Sequence, residues 1–210
     1  FDNSQNLSPH DWYRQNIKAN SSLQSLIVDG YDAIRDDRTV YVAAANVEPC
    51  GQFNAGKDCL KSIMVIISFN QNISSKTIDI FGQILNNWRF NQNINHYGGT
   101  CSAGPSHTSG INCLSGKDCP TGQYCNNLKS KLVRDTKRII NLTAIKTKLE
   151  QYRQTYQYYP NLEAGTYLTN RTLSVWPSWQ KALAIKLNWA LPIDPINLLG
   201  ECPTGYNATT

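Results

Sequence analysis

The segment from Leu132 to Pro160 constrains what this chain of 210 residues can fold into more than any other feature. Its apolar and aromatic residues recur every three or four positions, which is the spacing of one stripe on an α-helix. That stripe comprises Ile139, Leu142, Ile145, Leu149, Tyr152, Tyr156 and Tyr159. We predict a helix over about residues 129–158, ended by Pro160 because proline crowds the backbone before it.

A helix of this kind needs a partner surface along most of its length. The segment WPSWQKALAIKL, residues 176–187, is the predicted partner. It is expected to form a second helix, because proline suits a first helical turn and Trp179, Leu183 and Leu187 line one face. We expect Trp179 and Leu183 to lie nearest to four residues of the long helix, namely Ile139, Leu142, Ile145 and Leu149.

Seven cysteines indicate an oxidising environment. Cys50 and Cys59 flank a turn-rich loop, and four others lie in a Gly/Ser/Pro-rich segment, at Cys101, Cys113, Cys119 and Cys125. A zinc site is the alternative, since these four and His107 recur about every six residues, but structural zinc ligands usually lie two to four residues apart. We therefore predict a Cys50–Cys59 bond and two bonds, of open connectivity, among the other four.

Cys202 is the odd cysteine, and it is expected to be unpaired, joined to another chain or bonded to a cysteine outside this sequence. Disulfides imply export, to an extracellular or cell-surface location. Possible glycosylation sites agree weakly, because about three would arise by chance in this composition. They begin at Asn6, Asn20, Asn72, Asn141, Asn170 and Asn207.

The longest apolar run, residues 63–69, is far shorter than the roughly 18 residues that a membrane helix requires. We therefore expect no membrane span in this chain. The chain begins with neither an initiator methionine nor the apolar region of a signal peptide. We interpret this amino terminus as the product of processing or trimming.

Pattern and composition predict an α+β fold in four segments. These are an N-terminal tail (1–20), an α/β region (21–100), a cysteine-rich connector (101–128) and a helical region (129–210). The tail is expected to be poorly anchored, with a short helix around Asp11 to Ile17. The connector is expected to consist of turns and to act as a disulfide-stabilised hinge.

Within the α/β region, Ser21 to Asp37 is predicted to form a helix behind a serine cap, despite Gly30. The stretches TVYVAAANV and SIMVIISFN are rich in β-branched residues and predict two antiparallel strands joined by the Cys50–Cys59 loop. A further helix is predicted from Ser74 to about Phe90. Its apolar face comprises Ile78, Phe81, Leu85 and Trp88.

Four pieces in succession, RDTKRIINLTAIKTKLEQYRQTYQYYP, YLTN, WPSWQ and LPIDPIN, resemble the globular region of type II secretion pseudopilins and related type IV pilin-like proteins. The resemblance covers about residues 129–200, and Tyr159-Pro160 and residues 191–197 are its most specific parts. It implies an extracellular protein that assembles. With its helix behind a cysteine-rich stretch, the chain also resembles large surface proteins of environmental bacteria.

Two features of that family are missing from this sequence, the hydrophobic N-terminal helix and the acidic calcium loop. Phe1 is followed by polar residues, and Glu201 is the one acidic residue after Asp194. We therefore expect no calcium and no other cofactor. Asp194, which lies between two prolines, is expected to form a rigid turn rather than to bind a metal.

Basic residues are concentrated on the long helix. Residues 129–153 hold eight Lys or Arg and two acids, a balance of +6, which exceeds the net +5 of the whole chain. A solvated helix face is one explanation. Pairing with the acidic stretch Asp29, Asp32, Asp36 and Asp37 of another copy is a second. Nucleic acid is not expected, because no recognition motif or basic groove with interleaved aromatic residues is present.

No catalytic motif is present, so we expect a non-enzymatic protein. His10, His96 and His107 are expected at the surface, and no serine-hydrolase elbow, zinc-protease motif or phosphate-binding loop accompanies them. A secreted enzyme remains an alternative, since catalytic pairs can be distant in sequence. The aromatic residues of the C-terminal region suggest either a sugar-binding platform or core and interface residues. They include Tyr152, Tyr156, Tyr158, Tyr159, Trp176, Trp179 and Trp189.

Together these features favour a structural subunit that assembles head to tail with copies of itself into a filament outside a bacterial cell. The N-terminal tail is expected to dock onto the next subunit, with aromatic anchors. The predicted assembly residues are Trp12, Tyr13, Asp36, Asp37, Arg134, Lys137 and Arg138. The alternative is a monomeric secreted or cell-surface module that binds a glycan or a protein.

Overall fold

The computed structural model describes residues 1–17, 22–50, 58–72, 74–90, 98–104, 107–161 and 178–196. Within these residues the chain forms α-helices and two antiparallel sheets, which confirms the predicted α+β fold. Among the helices of these ranges, none combines the length and the apolar character needed to cross a membrane.

The larger sheet contains four strands, each antiparallel to its neighbours. In spatial order they are β1 (Gln24–Val28), β2 (Tyr31–Asp36), β3 (Thr39–Pro49) and β4 (Asp58–Ser68). The two predicted strands are confirmed as β3 and β4, which pair from Thr39–Ser68 to Pro49–Asp58. The predicted bond between Cys50 and Cys59 closes the loop between them.

The helix predicted for Ser21 to Asp37 is wrong, because the described residues of this segment form the hairpin of β1 and β2. Val28 pairs with Tyr31, so Asp29 and Gly30 are the two residues of the turn. Both have positive φ, 51° and 87°, which matches the twist of a tight hairpin. The Asp-Gly pair is a strong hairpin signal, and it outweighs the apolar spacing that suggested a helix.

Both faces of the larger sheet are covered. On β3, Val40, Val42 and Ala44 face one cluster, and Tyr41 and Ala43 face another, so the strand is apolar throughout its centre. Helix α2 (Ser75–Asn87) covers the first face. The helix predicted from Ser74 is thereby confirmed, with Ser74 as its cap. It buries Phe81 and Leu85, whereas Ile78 is exposed.

The N-terminal tail is firmly anchored, contrary to prediction. Phe1 exchanges two backbone hydrogen bonds with Met64 of β4, at 2.9 and 3.0 Å. The buried side chain of Asn3 donates to Ser62 Oγ at 2.8 Å. The short helix expected near Asp11 is present as α1 (Pro9–Asn16). It places Trp12 and Tyr13 in the second core cluster, where they pack on Tyr41.

The cysteine-rich connector forms a second sheet, so the expectation of turns alone is wrong. Its strands are β5 (Gly99–Gly104), β6 (His107–Cys113) and β7 (Tyr124–Asn126), in the order β6-β5-β7. A Cβ on Gly99 would lie 2.7 Å from the carbonyl oxygen of Asn126, so this close approach of strands requires glycine.

The two predicted bonds among the four cysteines of this sheet are confirmed. They join Cys101 to Cys119 and Cys113 to Cys125. Three of these sulfur atoms are the one group in the described chain that could hold a metal by proximity. As disulfide sulfurs they are not thiolates, so the zinc alternative is not supported. Cys202 lies outside the described residues.

The long helix is confirmed as α3 (Leu128–Tyr156), capped by the side chain of Asn127. It ends earlier than predicted. Gln157 adopts a left-handed conformation, with φ 67°, and its N–H donates to the carbonyl of Arg153. The cause of termination is thus a left-handed cap rather than Pro160.

The predicted partner of α3 is confirmed in part. Residues Ser178–Leu183 form a π-helical segment that continues into α4 (Ala184–Leu187). Ile145 and Leu149 pack there against Trp179 and Leu183, as expected. Leu142 and Ile139, the other two residues expected there, do not join this cluster. Leu142 is 64% exposed, and Ile139 is only half-buried.

The first half of α3 packs on the larger sheet instead. Ile140 is buried with Trp12, Tyr13 and Ile34, and Leu132 and Val133 lie against the other core cluster. The helix therefore has two successive partners, the sheet and then α4. Ile140, which meets the sheet, and Ile145, which meets α4, are five residues and thus about 140° apart around the helix axis, so one stripe cannot contain both.

Candidate functional site

Four basic residues of α3 have acidic partners among the described residues of their own chain. Lys129 pairs with Asp29 of the hairpin turn, and both side chains are only 4% exposed. Lys137 Nζ lies 3.0 Å from Asp32 Oδ1 on β2. The charge complementarity that suggested contacts between copies is therefore used to fasten α3 to the sheet.

Arg138 makes the most complete ion pair of the helix. Its Nε and Nη2 donate to the two carboxylate oxygens of Asp194 at 2.6 and 3.0 Å, and its Nη1 donates to Asp135 at 2.7 Å. These bonds raise the pKa of Arg138 above its ordinary value. Asp194 thus ties the proline-rich turn to α3, a role that its position between prolines did not reveal.

The remaining predicted assembly residues also have contacts inside the chain. Tyr13 Oη donates to Asp36 Oδ2 at 2.5 Å, and the backbone carbonyl of Asp37 accepts from Arg35. Arg134 donates to the carbonyl of Cys125. Trp12 and Tyr13, which were predicted to anchor a neighbouring subunit, are buried in the core of their own chain.

The second half of α3 differs, since it ends in a cluster of exposed tyrosines. The ring centroids of Tyr152 and Tyr156 lie 4.4 Å apart, and that of Tyr158 lies 6.0 and 6.3 Å from them. Tyr156 is 54% and Tyr158 57% exposed. Because Gln157 is left-handed, the chain turns after α3 and brings Tyr158 back beside Tyr152. We call Tyr152, Tyr156 and Tyr158 the tyrosine cluster.

A polar rim borders the tyrosine cluster. Tyr159 Oη donates to Glu150 Oε1 at 2.7 Å, and Arg153 Nε donates to Glu150 Oε2 at 3.1 Å. The Arg153 guanidinium also lies 5.4 Å from the centroid of the Tyr159 ring. The hydrogen bond from Tyr159, followed by the charge of Arg153, lowers the pKa of Glu150. The rim therefore presents a carboxylate and a guanidinium in fixed positions at neutral pH.

A groove of about 450 Å³ lies between α1 and the second half of α3. Its walls are mostly polar, and Trp189 is its aromatic member. They include Ser8, Asp11, Arg14, Thr147, Lys148 and Gln151. Gln151 directly precedes Tyr152, so the groove reaches the last turns of α3, where the tyrosine cluster begins. Sequence reasoning missed the groove because its two walls are more than a hundred residues apart in the chain.

The possible glycosylation sites differ in their surroundings. Asn72 is exposed in a loop with φ 59°. Asn6 is half-buried, and its Oδ1 accepts from the N–H of Ser62 at 3.3 Å. Asn141 is half-buried on α3. The remaining sites, Asn20, Asn170 and Asn207, lie outside the described residues.

The histidines do not form a cluster in the described structure. His10, expected at the surface, is half-buried on α1, and His107 begins β6. His96 lies outside the described residues. The absence of catalysis stays a prediction.

Comparison of the chain with protein families, with curated proteins and with solved structures gave no match. The resemblance to pilin-like proteins therefore stays a prediction.

Proposed function

We propose that this chain is an exported module that binds a glycan through the tyrosine cluster at the end of α3. The observation that supports this most directly is the exposure of Tyr156 and Tyr158, which stand in ring contact but outside any core cluster of the described chain. Tyrosine supplies a large, rigid, amphipathic contact surface at low entropic cost. Its flat ring can stack on the apolar face of a sugar.

The polar rim supports a glycan over an apolar partner. Binding sites commonly combine aromatic walls with a few fixed polar groups that orient the ligand. Glu150 and Arg153 are such groups, and hydrogen bonds within the rim orient both of them. The groove beside α1 adds hydroxyl, amide and charged side chains within reach of a longer chain. The disulfides support an oxidising compartment, where surface glycans occur.

Affinity electrophoresis in gels that contain neutral or acidic polysaccharides tests this proposal. We expect the wild-type protein to be retarded by at least one polysaccharide. The variant Tyr156→Ala/Tyr158→Ala should lose about tenfold in affinity, since aromatic anchors commonly contribute more than about 1 kcal/mol. Leu142→Ala is the matched control, because Leu142 is an exposed apolar residue on the same helix. Equal retardation of both variants would refute the proposal.

Assembly with copies of the chain is a second proposal, supported by a different surface. Ile80 and Ile84 are one helical turn apart on α2, and both are exposed on the face that flanks the buried Phe81 and Leu85. Exposed aliphatic residues on one helix face are typical of protein contacts. Light scattering at high concentration would test it. Association that Ile80→Lys abolishes supports assembly, and a monomer at every concentration excludes it.

A further inference from the structure

A cavity of about 270 Å³ lies where the β1–β2 turn, the cysteine-rich sheet and the start of α3 meet. It is at the opposite end of α3 from the tyrosine cluster, so it is a separate site. Its lining is unusually rich in cations. The residues that matter for its chemistry are Asp29, Arg89, Gln123, Lys129, Ser130 and Arg134.

The single carboxylate of this lining is already shared. Asp29 pairs with Lys129, its Oδ1 lies 3.7 Å from Arg89 Nη1, and its Oδ2 accepts the backbone N–H of Phe90 at 2.8 Å. Lys129 and Arg89 thus both lie beside the Asp29 carboxylate, and Arg134 adds a third positive charge to the lining. The cavity therefore carries an excess of positive charge.

Arg134 has no carboxylate partner within the described residues. Its Nη1 donates to the carbonyl of Cys125 at 3.0 Å, and its guanidinium lies 5.0 Å from the ring centroid of Tyr124. Two buried atoms of the lining, Arg134 Nε and Gln123 Oε1, have no hydrogen-bond partner among the residues that the structure describes. Burial, and then the nearby charge of Arg138, lower the pKa of Arg134. Asp135 and Asp194 raise this pKa through their charges, but neither forms an ion pair with Arg134 in the described residues. An anion bound in the cavity would therefore stabilise this half-buried cation further.

The start of α3 adds to the attraction. Lys129 and Ser130 are the second and third residues of a 29-residue helix, whose first turn carries the positive end of the helix dipole. Ser130 also offers a hydroxyl among the lining residues. The site thus combines a guanidinium fork with neutral hydrogen-bonding groups, which suits a carboxylate that has hydroxyl neighbours.

We propose that this cavity binds one uronic acid unit, with its carboxylate at Arg134 and Arg89 and its hydroxyl groups at Gln123 and Ser130. The volume, at the lower limit of small-molecule sites, restricts the ligand to about one sugar ring. The proposal does not depend on glycan binding by the tyrosine cluster.

Titration of the intact protein with D-galacturonate, followed by NMR or calorimetry, tests the assignment. D-galactose is the control for the carboxylate, and inorganic sulfate is the control for charge alone. We expect saturable millimolar binding of galacturonate, and much weaker binding of the other two. The change Tyr156→Ala/Tyr158→Ala should leave this binding unaltered.

Variants locate the binding. Arg89→Gln is expected to weaken galacturonate binding at least fivefold without loss of folding, since the Arg89 side chain is 44% exposed. Lys131→Gln is the matched control. Lys131 is an exposed cation in the first turn of α3, and it does not line the cavity. Absence of binding, equal binding of galactose or sulfate, or equal effects of the two substitutions would overturn the proposal.

Discussion

The two halves of α3 share a helical period but have opposite surroundings. In the first half, Lys129, Lys137 and Arg138 pair with acids from three other parts of the chain, and Ile140 enters the core. The second half packs on α4 along one side and ends in exposed tyrosines. The charged half thus serves the fold, although charge had suggested an interface. The aromatic end, by contrast, exposes Tyr156 and Tyr158 to solvent.

The largest effect is expected at the buried ion pair of the first half. Lys129→Met should lower the free energy of unfolding by about 3–5 kcal/mol, because it leaves the Asp29 carboxylate buried without its main partner. Chemical denaturation measures this loss. The double variant Lys129→Met/Asp29→Asn should recover part of it, since asparagine also tolerates the positive φ of the turn. A loss below about 1 kcal/mol in the single variant would show that the pair does not fasten α3 to the sheet.

Two residues of the predicted apolar stripe on α3, Ile145 and Leu142, are expected to differ in how much they stabilise the fold. Ile145→Ala should cost about 2–5 kcal/mol, because Ile145 is buried against Leu183 and Ala184. Leu142→Ala should cost less than about 0.5 kcal/mol, since its side chain is mostly in water. Thermal or urea unfolding of both variants checks this. Similar losses would mean that α4 covers a different stripe of the helix.

Ile145 and Leu142 show which features of the fold could be predicted from the sequence and which could not. It predicted α3, β3, β4, α2 and the cysteines that form bonds, because period, β-branching and loop spacing are local signals. It could not say which side of α3 meets which neighbour, since that depends on contacts between distant segments. The error at Asp29-Gly30 was avoidable, because the turn chemistry was present in the sequence.

The candidate site was predictable only in part. The tyrosines of this region were interpreted as a sugar platform or as core and interface residues. The contact of Tyr158 with Tyr152 and Tyr156 depends on the left-handed Gln157, which no local pattern predicts. The cation-rich cavity combines residues from four parts of the chain, at positions 29–30, 89, 114–134 and 195. The sequence suggested that the acidic stretch pairs with α3 of another copy, whereas Asp29 and Asp32 pair with α3 of their own chain and Asp36 accepts from Tyr13.

A smaller effect is expected for the disulfides of the cysteine-rich sheet. Replacing Cys101 and Cys119 by alanine should lower stability by about 2–3 kcal/mol, because the bond restricts an unfolded loop of moderate length. The loss should weaken the support of the first half of α3, which contacts β7, and leave the tyrosine cluster intact. Non-reducing peptide mapping of the wild-type protein should recover Cys101–Cys119 and Cys113–Cys125. A Cys101–Cys125 bond would contradict the fold of this sheet.

The smallest effect concerns the rim of the tyrosine cluster. The pKa of Glu150 is lowered in the folded state, so its ionisation contributes stability above the unfolded pKa, and that contribution is lost as pH falls through the lowered value. Glycan binding should weaken in the same acidic range, because protonation frees Tyr159 and Arg153. Tyr159→Phe should raise the pKa of Glu150 toward its ordinary value, as measured by NMR titration of the carboxyl carbon. An unchanged pKa of Glu150 in this variant would show that Tyr159 does not stabilise the carboxylate of the rim.

The most direct test of the contrast between the halves is NMR mapping of a bound oligosaccharide, taken from whichever polysaccharide retards the protein. We predict that a neutral glycan shifts the NMR signals of residues 150–159 and of the groove beside α1. The signals of Lys129, Lys137 and Arg138 should stay unchanged. Shifts confined to the charged half of α3, or no saturable shifts with any tested glycan, would contradict the assignment of the tyrosine cluster as the binding surface.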